Sequence, residues 1–351
     1  MMYLWWGGLR GGLAIGTLGI CAIFAAMCGI SGAAVVAMGT IALPSMLERG
    51  YDKRMVLGCI NTGGGWGILI PPSILMILYS LITGVSVGQM FAAGVLPGIL
   101  LMVLTCIYII VRCYFQPHLA PALPKDERAS WREKMLALRA VILPIIIVVV
   151  TLGSIIAGVT TPTEAAAVGV FGALVSALVY RKFSWELMRD ASIRTFKLTG
   201  MIMWILFAAH AFSAAYQSMG AQELIEGMIT GIPGGPWAVI ITMMVIVFFL
   251  AMVLDPVGIM LITLPVFLPI VQSMGFDPVW FGILFVINME IGYMTPPFGF
   301  NLFYLKGVVP PSITMKDIYV SVIPFVLVEI VGLALIMIFP EIATYLPDLM
   351  F

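Results

Sequence analysis

Charge is scarce in this sequence: of 351 residues only 10% are Asp, Glu, Lys or Arg, and the 17 basic side chains cancel the 17 acidic ones. That balance excludes both the basic stripe of a nucleic-acid binder and the like-charged composition of a disordered tail. Histidine occurs twice, at His118 and His210, in a loop and in a distant apolar segment. There is no HExxH and no Walker A glycine loop. Zinc-hydrolase and nucleotide-hydrolase chemistry therefore lack their residues, and the chain is expected not to be an enzyme. Five cysteines, Cys21, Cys28, Cys59, Cys106 and Cys113, lie within or at the ends of apolar runs without CxxC or metal-ligand spacing. They read as small hydrophobes, not as a disulfide framework. The opening "MMYLWWGGLRGG" has no basic stretch ahead of an apolar core, so no cleavable signal peptide is expected.

What the chain has in quantity is apolar length. Hydrophobic residues make up 62% of it and mean hydropathy is +1.13, far outside the range of soluble globular proteins. Apolar segments fall at 12–28, 32–47, 55–80, 90–111, 140–158, 164–180, 198–217, 237–254, 257–271, 279–305 and 318–339. Most approach the ~20 residues a spanning helix needs. The pairs 12–28/32–47 and 237–254/257–271 are short and joined by a few residues, "GIS" and "DP", which predicts two helical hairpins. The stretch 114–139 is polar and proline-bearing, then amphipathic, and reads as a cytoplasmic linker. It divides a first repeat, 1–113, from a second half, 140–351. The expected fold is all-α and polytopic.

Positive charge collects in cytoplasmic loops and so orients the chain. Threading from a cytoplasmic Arg10 places all 17 basic residues on one side, while the opposite loops 81–89, 159–163, 218–236, 272–278 and 340–351 contain none. Sliding the chain on itself by 225 positions then aligns 43–79 with 268–304 without a gap. Eight positions coincide: Leu43/Leu268, Pro44/Pro269, Gly50/Gly275, Asp52/Asp277, Gly67/Gly292, Pro71/Pro296, Pro72/Pro297 and Tyr79/Tyr304. The charge threading puts Asp52 inside and Asp277 outside, so the copies are expected to cross the membrane in opposite senses, as an inverted repeat. Inverted repeats with interrupted helices point to a secondary transporter.

Each copy carries Pro-Pro inside its third apolar segment. Proline removes an amide donor and clashes with the preceding turn, so each pair frees carbonyls that lipid cannot satisfy. A small hard cation such as sodium suits carbonyls at a helix break; a kinked packing helix is the alternative. The hairpin tips contribute Ser31, between Gly29 and Gly32, and Asp255, before Pro256. A carboxylate inside a membrane is a functional candidate, although Asp followed by Pro also starts helices. Asn61 and Thr62 before the first break, and Asn288 and Glu290 before the second, are candidates for lining a substrate cavity, with tying helices together as the alternative for the latter two. Thr295 and Asn301 flank the second break with oxygen ligands. Glu164, three residues after Thr161, matches a capping box. His210 reads as a hydrogen-bonded core residue, and Glu329, alone in the last long apolar segment, has no assigned role.

Five stretches, "LRGGLAIG" at 9–16, "RGYDKRMVLGCINTGGGWGILIPPS" at 49–73, "TPTEAAAVGVFGAL" at 161–174, "GFDPVWFGILFVINMEIGYMTPPFGFNL" at 275–302 and the hairpin exits at Pro44 and Pro269, resemble the large membrane subunit of tripartite ATP-independent periplasmic (TRAP) transporters, within the broader ion transporter superfamily. The resemblance covers essentially the whole chain. It implies a sodium-driven importer of organic anions, often carboxylates, in a bacterial or archaeal cytoplasmic membrane. Its implied partners are a periplasmic substrate-binding protein and a small membrane subunit, with sodium as coupling ion and no other cofactor. It also implies an elevator mechanism, with re-entrant hairpins. The family's sodium sites, where hairpin tips meet helix breaks, map onto Ser31 with Gly65, Gly67 and Pro71, and onto Asp255 with Gly292, Thr295, Pro297 and Asn301. The family's large subunit begins with further scaffold helices before "RGGLA", so the resemblance leads one to expect either a truncated start or those helices on another chain. A stand-alone sodium/dicarboxylate symporter of the same superfamily, and a membrane channel or scaffold without a coupled site, are the alternatives.

The topology is directly testable. Single cysteines placed in 81–89, 218–236 and 272–278, in a chain stripped of its native cysteines, should react with an impermeant thiol reagent from the periplasmic side. Labelling of 272–278 only after lysis overturns the inverted orientation.

Overall fold

The computed structural model describes residues 5–122, 130–220, 227 and 233–351. Among these, all regular structure is helical. There are fourteen α-helices: α1 (Gly12–Cys28), α2 (Ser31–Glu48), α3 (Lys53–Gly65), α4 (Ile74–Thr83), α5 (Val87–Phe115), α6 (Trp131–Ile156), α7 (Pro162–Val179), α8 (Trp185–Ser218), α9 (Gly235–Ala251), α10 (Pro256–Ser273), α11 (Pro278–Tyr293), α12 (Phe300–Lys306), α13 (Met315–Ile338) and α14 (Glu341–Met350). Six are long and apolar enough to cross a membrane, and α1, α4, α9, α11 and much of α6 are shorter apolar helices. The chain is a multi-pass membrane protein, as its composition requires.

The two predicted hairpins form, α1 with α2 and α9 with α10. The long apolar segments 55–80 and 279–305 are not continuous helices. The first divides into α3, a 3₁₀ turn over Trp66–Ile68, and α4; the second divides into α11 and α12. Of the predicted linker 114–139, residues 123–129 lie outside the described residues; its start holds the end of α5 and a 3₁₀ turn over Pro117–Leu119, and its last part forms the opening turns of α6. The capping box expected at Thr161 is present: the Thr161 amide donates to Glu164 Oε2 at 2.8 Å and the Glu164 amide donates back to Thr161 Oγ1 at 3.4 Å.

The 225-residue shift seen in the sequence recurs in the backbone. Helix α2 displaced by that amount becomes α10, and Lys53–Ile68 becomes Pro278–Tyr293. Gly50 and Gly275 share a left-handed φ, +75° and +78°. Asp52 and Asp277 cap the following helices alike, each accepting from the amides two and three residues on. Both Pro-Pro peptide bonds, Pro71-Pro72 and Pro296-Pro297, are cis.

The packing is reciprocal across the copies. Helix α2 of the first lies against α12 of the second, and α10 of the second lies against α4 of the first; α3 packs on α13 as α11 packs on α5. These contacts interleave the two halves of the chain into one core. Helices α7 and α8, by contrast, turn almost all their residues outward within this chain.

The exchanged contacts are not energetically identical. Tyr79 in α4 is buried and its hydroxyl donates to the Pro278 carbonyl at 2.6 Å. Its counterpart Tyr304 packs its ring on Gly32, while its hydroxyl has no hydrogen-bond partner among the described residues. Tyr79→Phe should therefore cost about 1–2 kcal/mol, leaving a backbone carbonyl unmatched, and Tyr304→Phe should be near neutral. Thermal melts of the purified chain in detergent check this; equal losses would contradict it.

Candidate functional site

The Gly63-Gly64-Gly65 run lets both helices of the first hairpin approach α3. A Cβ built on Gly63 would stand 2.8 Å from Cys21 Cβ in α1, and one on Gly64 would stand 3.0 Å from the Val35 amide in α2. The hairpin tip reaches the break itself. A Cβ on Gly67 would lie 2.5 Å from the Ile30 carbonyl oxygen and 3.0 Å from the Ser31 amide nitrogen. On the other side, the Ile74 amide donates to the Gly29 carbonyl at 3.4 Å. Ser31, 3% exposed, is thus held at the junction of tip and break with Gly67. Pro71 is buried beside it.

Gly292 is the repeat counterpart of Gly67 and is under the same steric constraint, since a Cβ added there would collide with Ala251, where the second hairpin turns. Asp255 starts α10, its Oδ2 accepting from the Val257 amide at 3.0 Å, and its Oδ1 accepts from the Tyr293 hydroxyl at 3.3 Å. The carboxylate is therefore a helix cap and also a tie from the hairpin tip to the end of α11. Asp255 and Pro297 are exposed, whereas Ser31 and Pro71 are buried, so the second junction is the more open one.

The breaks also satisfy part of their own backbone. Ser73 donates its hydroxyl to the Ile68 carbonyl at 2.5 Å and accepts from the Met76 amide at 3.4 Å, capping α4. In the second copy the corresponding residue is Phe298, and the Pro297 carbonyl is taken instead by the Tyr319 hydroxyl at 2.7 Å. Thr295 donates to Ile291 O at 2.6 Å. Sequence reasoning did not single out Ser73, Tyr319 or Trp66. Ser73 carried a signal, a hydroxyl directly after Pro-Pro where freed carbonyls need donors; Tyr319 and Trp66 act across the fold and carried none.

The residues proposed to line a cavity separate into two groups. Asn288 donates from Nδ2 to the Met244 carbonyl at 2.5 Å, binding α11 to α9, and Asn61 donates to Leu57 O at 3.2 Å within its own helix. Thr62 reaches across the repeats to Met294 Sδ at 3.6 Å. Glu290 and Asn301 are fully buried and both lie over Gly65, so the two broken helices meet at their midpoints. A cavity of about 290 Å³ beside the first break is lined by Met27, Pro72, Phe91, Pro144, Thr151 and neighbours. Asn61, Thr62, Asn288 and Glu290 are not in its wall, which is almost wholly apolar; Asn288 instead lines a second cavity of about 260 Å³, with Met244, Phe248, Ile291, Ile330 and Met337. The side chain of His210 lies outside the described residues.

Two hairpins docked on two broken helices, in a multi-pass helical chain, define the membrane-embedded subunit of a transporter. The chain belongs to the family described as the tripartite ATP-independent periplasmic transporter DctM component, whose model matches residues 1–342. It is 36% identical over 347 residues to the C4-dicarboxylate TRAP transporter large permease protein DctM of Pseudomonas aeruginosa, covering 97% of this chain and 79% of that one. It is also 36% identical over 351 residues to the ectoine/5-hydroxyectoine TRAP transporter large permease protein UehC of Ruegeria pomeroyi, covering 98% and 79%. Identity to the isethionate TRAP transporter permease protein DctMQ of Oleidesulfovibrio alaskensis is 32% over 307 residues, covering 86% of this chain and 47% of that one.

The close approach at the two tips makes a specific demand. Gly67→Ala and Gly292→Ala each force a methyl into backbone at a hairpin tip and should destabilise by about 1–3 kcal/mol. Gly258→Ala, with nothing within 4 Å of the added carbon, should be neutral or slightly stabilising. Thermal melts of the three variants decide; a neutral Gly67→Ala would show that the tip does not rest on the break.

Proposed function

We propose that this chain couples sodium to the import of an organic anion, a carboxylate in the first instance, delivered by a periplasmic substrate-binding protein. It works in the cytoplasmic membrane with a small membrane subunit. The observation that carries the reading is the doubled junction of hairpin tip and proline-broken helix, at Ser31/Gly67 and at Asp255/Tyr293/Gly292. Nothing in helix packing requires the same costly break twice, whereas ion sites at interrupted helices do.

In this reading sodium takes oxygen ligands at the two junctions. The first offers Ser31 with the backbone from Gly65 and Gly67 to Pro71; the second offers Asp255 with Gly292, Thr295 and Pro297, while Asn301, which the resemblance also maps there, is buried over Gly65 instead. The Ile68 and Pro297 carbonyls are already engaged by Ser73 and Tyr319, so the ion draws on others. The copies run through the membrane in opposite senses, and the hairpins with their broken helices slide as one body against the remaining helices. The outward apolar faces of α7 and α8 are available to lipid and to the small subunit. The relatives' names span a C4-dicarboxylate, ectoine and isethionate, which supports a membrane subunit that does not itself select the substrate.

Reconstitution in proteoliposomes with the small subunit and binding protein tests this. Uptake should require both a sodium gradient and the binding protein. Binding-protein-independent uptake selects a stand-alone symporter, and a gradient-independent leak selects a channel. Replacing Pro71-Pro72 or Pro296-Pro297 with Ala-Ala should raise the half-saturating sodium concentration at normal expression. An unchanged value in both variants overturns the ion role of the breaks.

A further inference from the structure

One group of buried polar side chains is not accounted for by the hairpin tips. Glu290, near the end of α11, is 0% exposed, and neither of its carboxyl oxygens has a hydrogen-bond partner among the described residues. Asn301, in the first turn of α12, is equally buried, and both its amide atoms are unpartnered. The two converge on Gly65 of the other repeat: a Cβ built there would lie 3.0 Å from Glu290 Oε1 and 3.6 Å from Asn301 Nδ2. The next residue, Trp66, donates its indole N–H to Glu329 Oε1 at 3.2 Å, leaving Glu329 Oε2 without a partner. The carboxyls of Glu290 and Glu329 are near enough to interact electrostatically. Asn61, one helical turn before Gly65 and on the same face, also has an unpartnered oxygen, Oδ1.

Buried polar atoms without partners are rare because each forfeits its hydration. A buried carboxylate forfeits several kcal/mol unless a positive charge accompanies it. Among the described residues the ion pairs are Lys53–Asp317 and Arg194–Asp190, and no basic side chain approaches either glutamate. What these side chains do offer is oxygen: both atoms of the Glu290 carboxyl, Oδ1 of Asn301 and of Asn61, and Oε2 of Glu329, all buried and without hydrogen-bond partners among the described residues. Hard monovalent cations take such ligands.

We infer that Glu290 and Asn301, meeting over Gly65, bind a sodium ion in the protein interior, with Glu329 contributing the second negative charge from beside Trp66. This rests on the sodium-coupled reading above, and goes beyond it in making Glu290, a carboxylate that belongs to neither hairpin, a direct ligand. It also gives Glu329 a role, as the group that sets the charge of the site.

Binding of radiolabelled Na⁺ to the purified full chain in nanodiscs tests the inference without any transport step. Glu290→Gln keeps shape and removes charge; it should abolish one component of Na⁺ binding or raise its half-saturation at least about tenfold, the cost of losing a charged ligand. Asn301→Ala should act on the same component, and serves as the test should Glu290→Gln not purify as a single species. Asp255→Asn should leave that component intact. Wild-type Na⁺ affinity and stoichiometry in both Glu290→Gln and Asn301→Ala overturn the inference, the carboxyl then carrying a proton instead. If the Pro-Pro variants lose Na⁺ in that case, the sodium-coupled reading survives alone. No Na⁺ binding by the wild-type chain overturns both.

Discussion

Lipid offers a peptide group no hydrogen-bond partner, and every unusual feature of this fold follows from that. A chain that interrupts a membrane helix must supply replacement donors and acceptors from its own atoms. The first break does so locally, with the Ser73 hydroxyl on the Ile68 carbonyl. The second does so at a distance, with the Tyr319 hydroxyl on the Pro297 carbonyl. Each is also roofed by a hairpin tip, pressed so close that only glycine fits at 67 and 292. Hairpins, glycines and prolines are thus one device, because an open break is tolerable only where protein covers it.

Covering the breaks brings the copies together. The contacts α2 on α12 and α10 on α4 exchange a hairpin from each repeat for a half-helix of the other, and the broken helices touch where Gly65 faces Glu290 and Asn301. The candidate site residues therefore lie between the two halves, in places neither half could build alone. The asymmetries are informative too. Ser31 is buried where its counterpart position holds Pro256, and the second hairpin brings a carboxylate, Asp255, to a more open junction.

Much of this was legible in the sequence because membrane insertion writes plain signals: long apolar runs, basic residues confined to one set of loops, and proline where a helix cannot continue. The hairpins, both breaks, the 225-residue shift and the Thr161–Glu164 cap were all readable, and each rests on local chemistry. What was not readable depends on contacts between distant segments. That Asn288 is tied to the Met244 carbonyl, that Trp66 holds Glu329, and that Glu290 faces a glycine of the first copy have no trace in spacing. A lone glutamate in an apolar segment announces that something must accompany it, but not what.

The exchanged packing has a consequence for how the molecule is made. Gly32, at the start of the second helix of the first hairpin, receives the ring of Tyr304, and most of the chain separates them. Ribosomes add about 5–20 residues per second, so the first hairpin stands in the membrane for tens of seconds before its covering helix exists. During that interval the first repeat is half a structure. Its glycine-lined groove then lacks the half-helix that covers it in the finished protein, while the Ser73 hydroxyl can already take up the Ile68 carbonyl. The architecture that allows two breaks in the finished protein therefore ties the fate of the early chain to its last third.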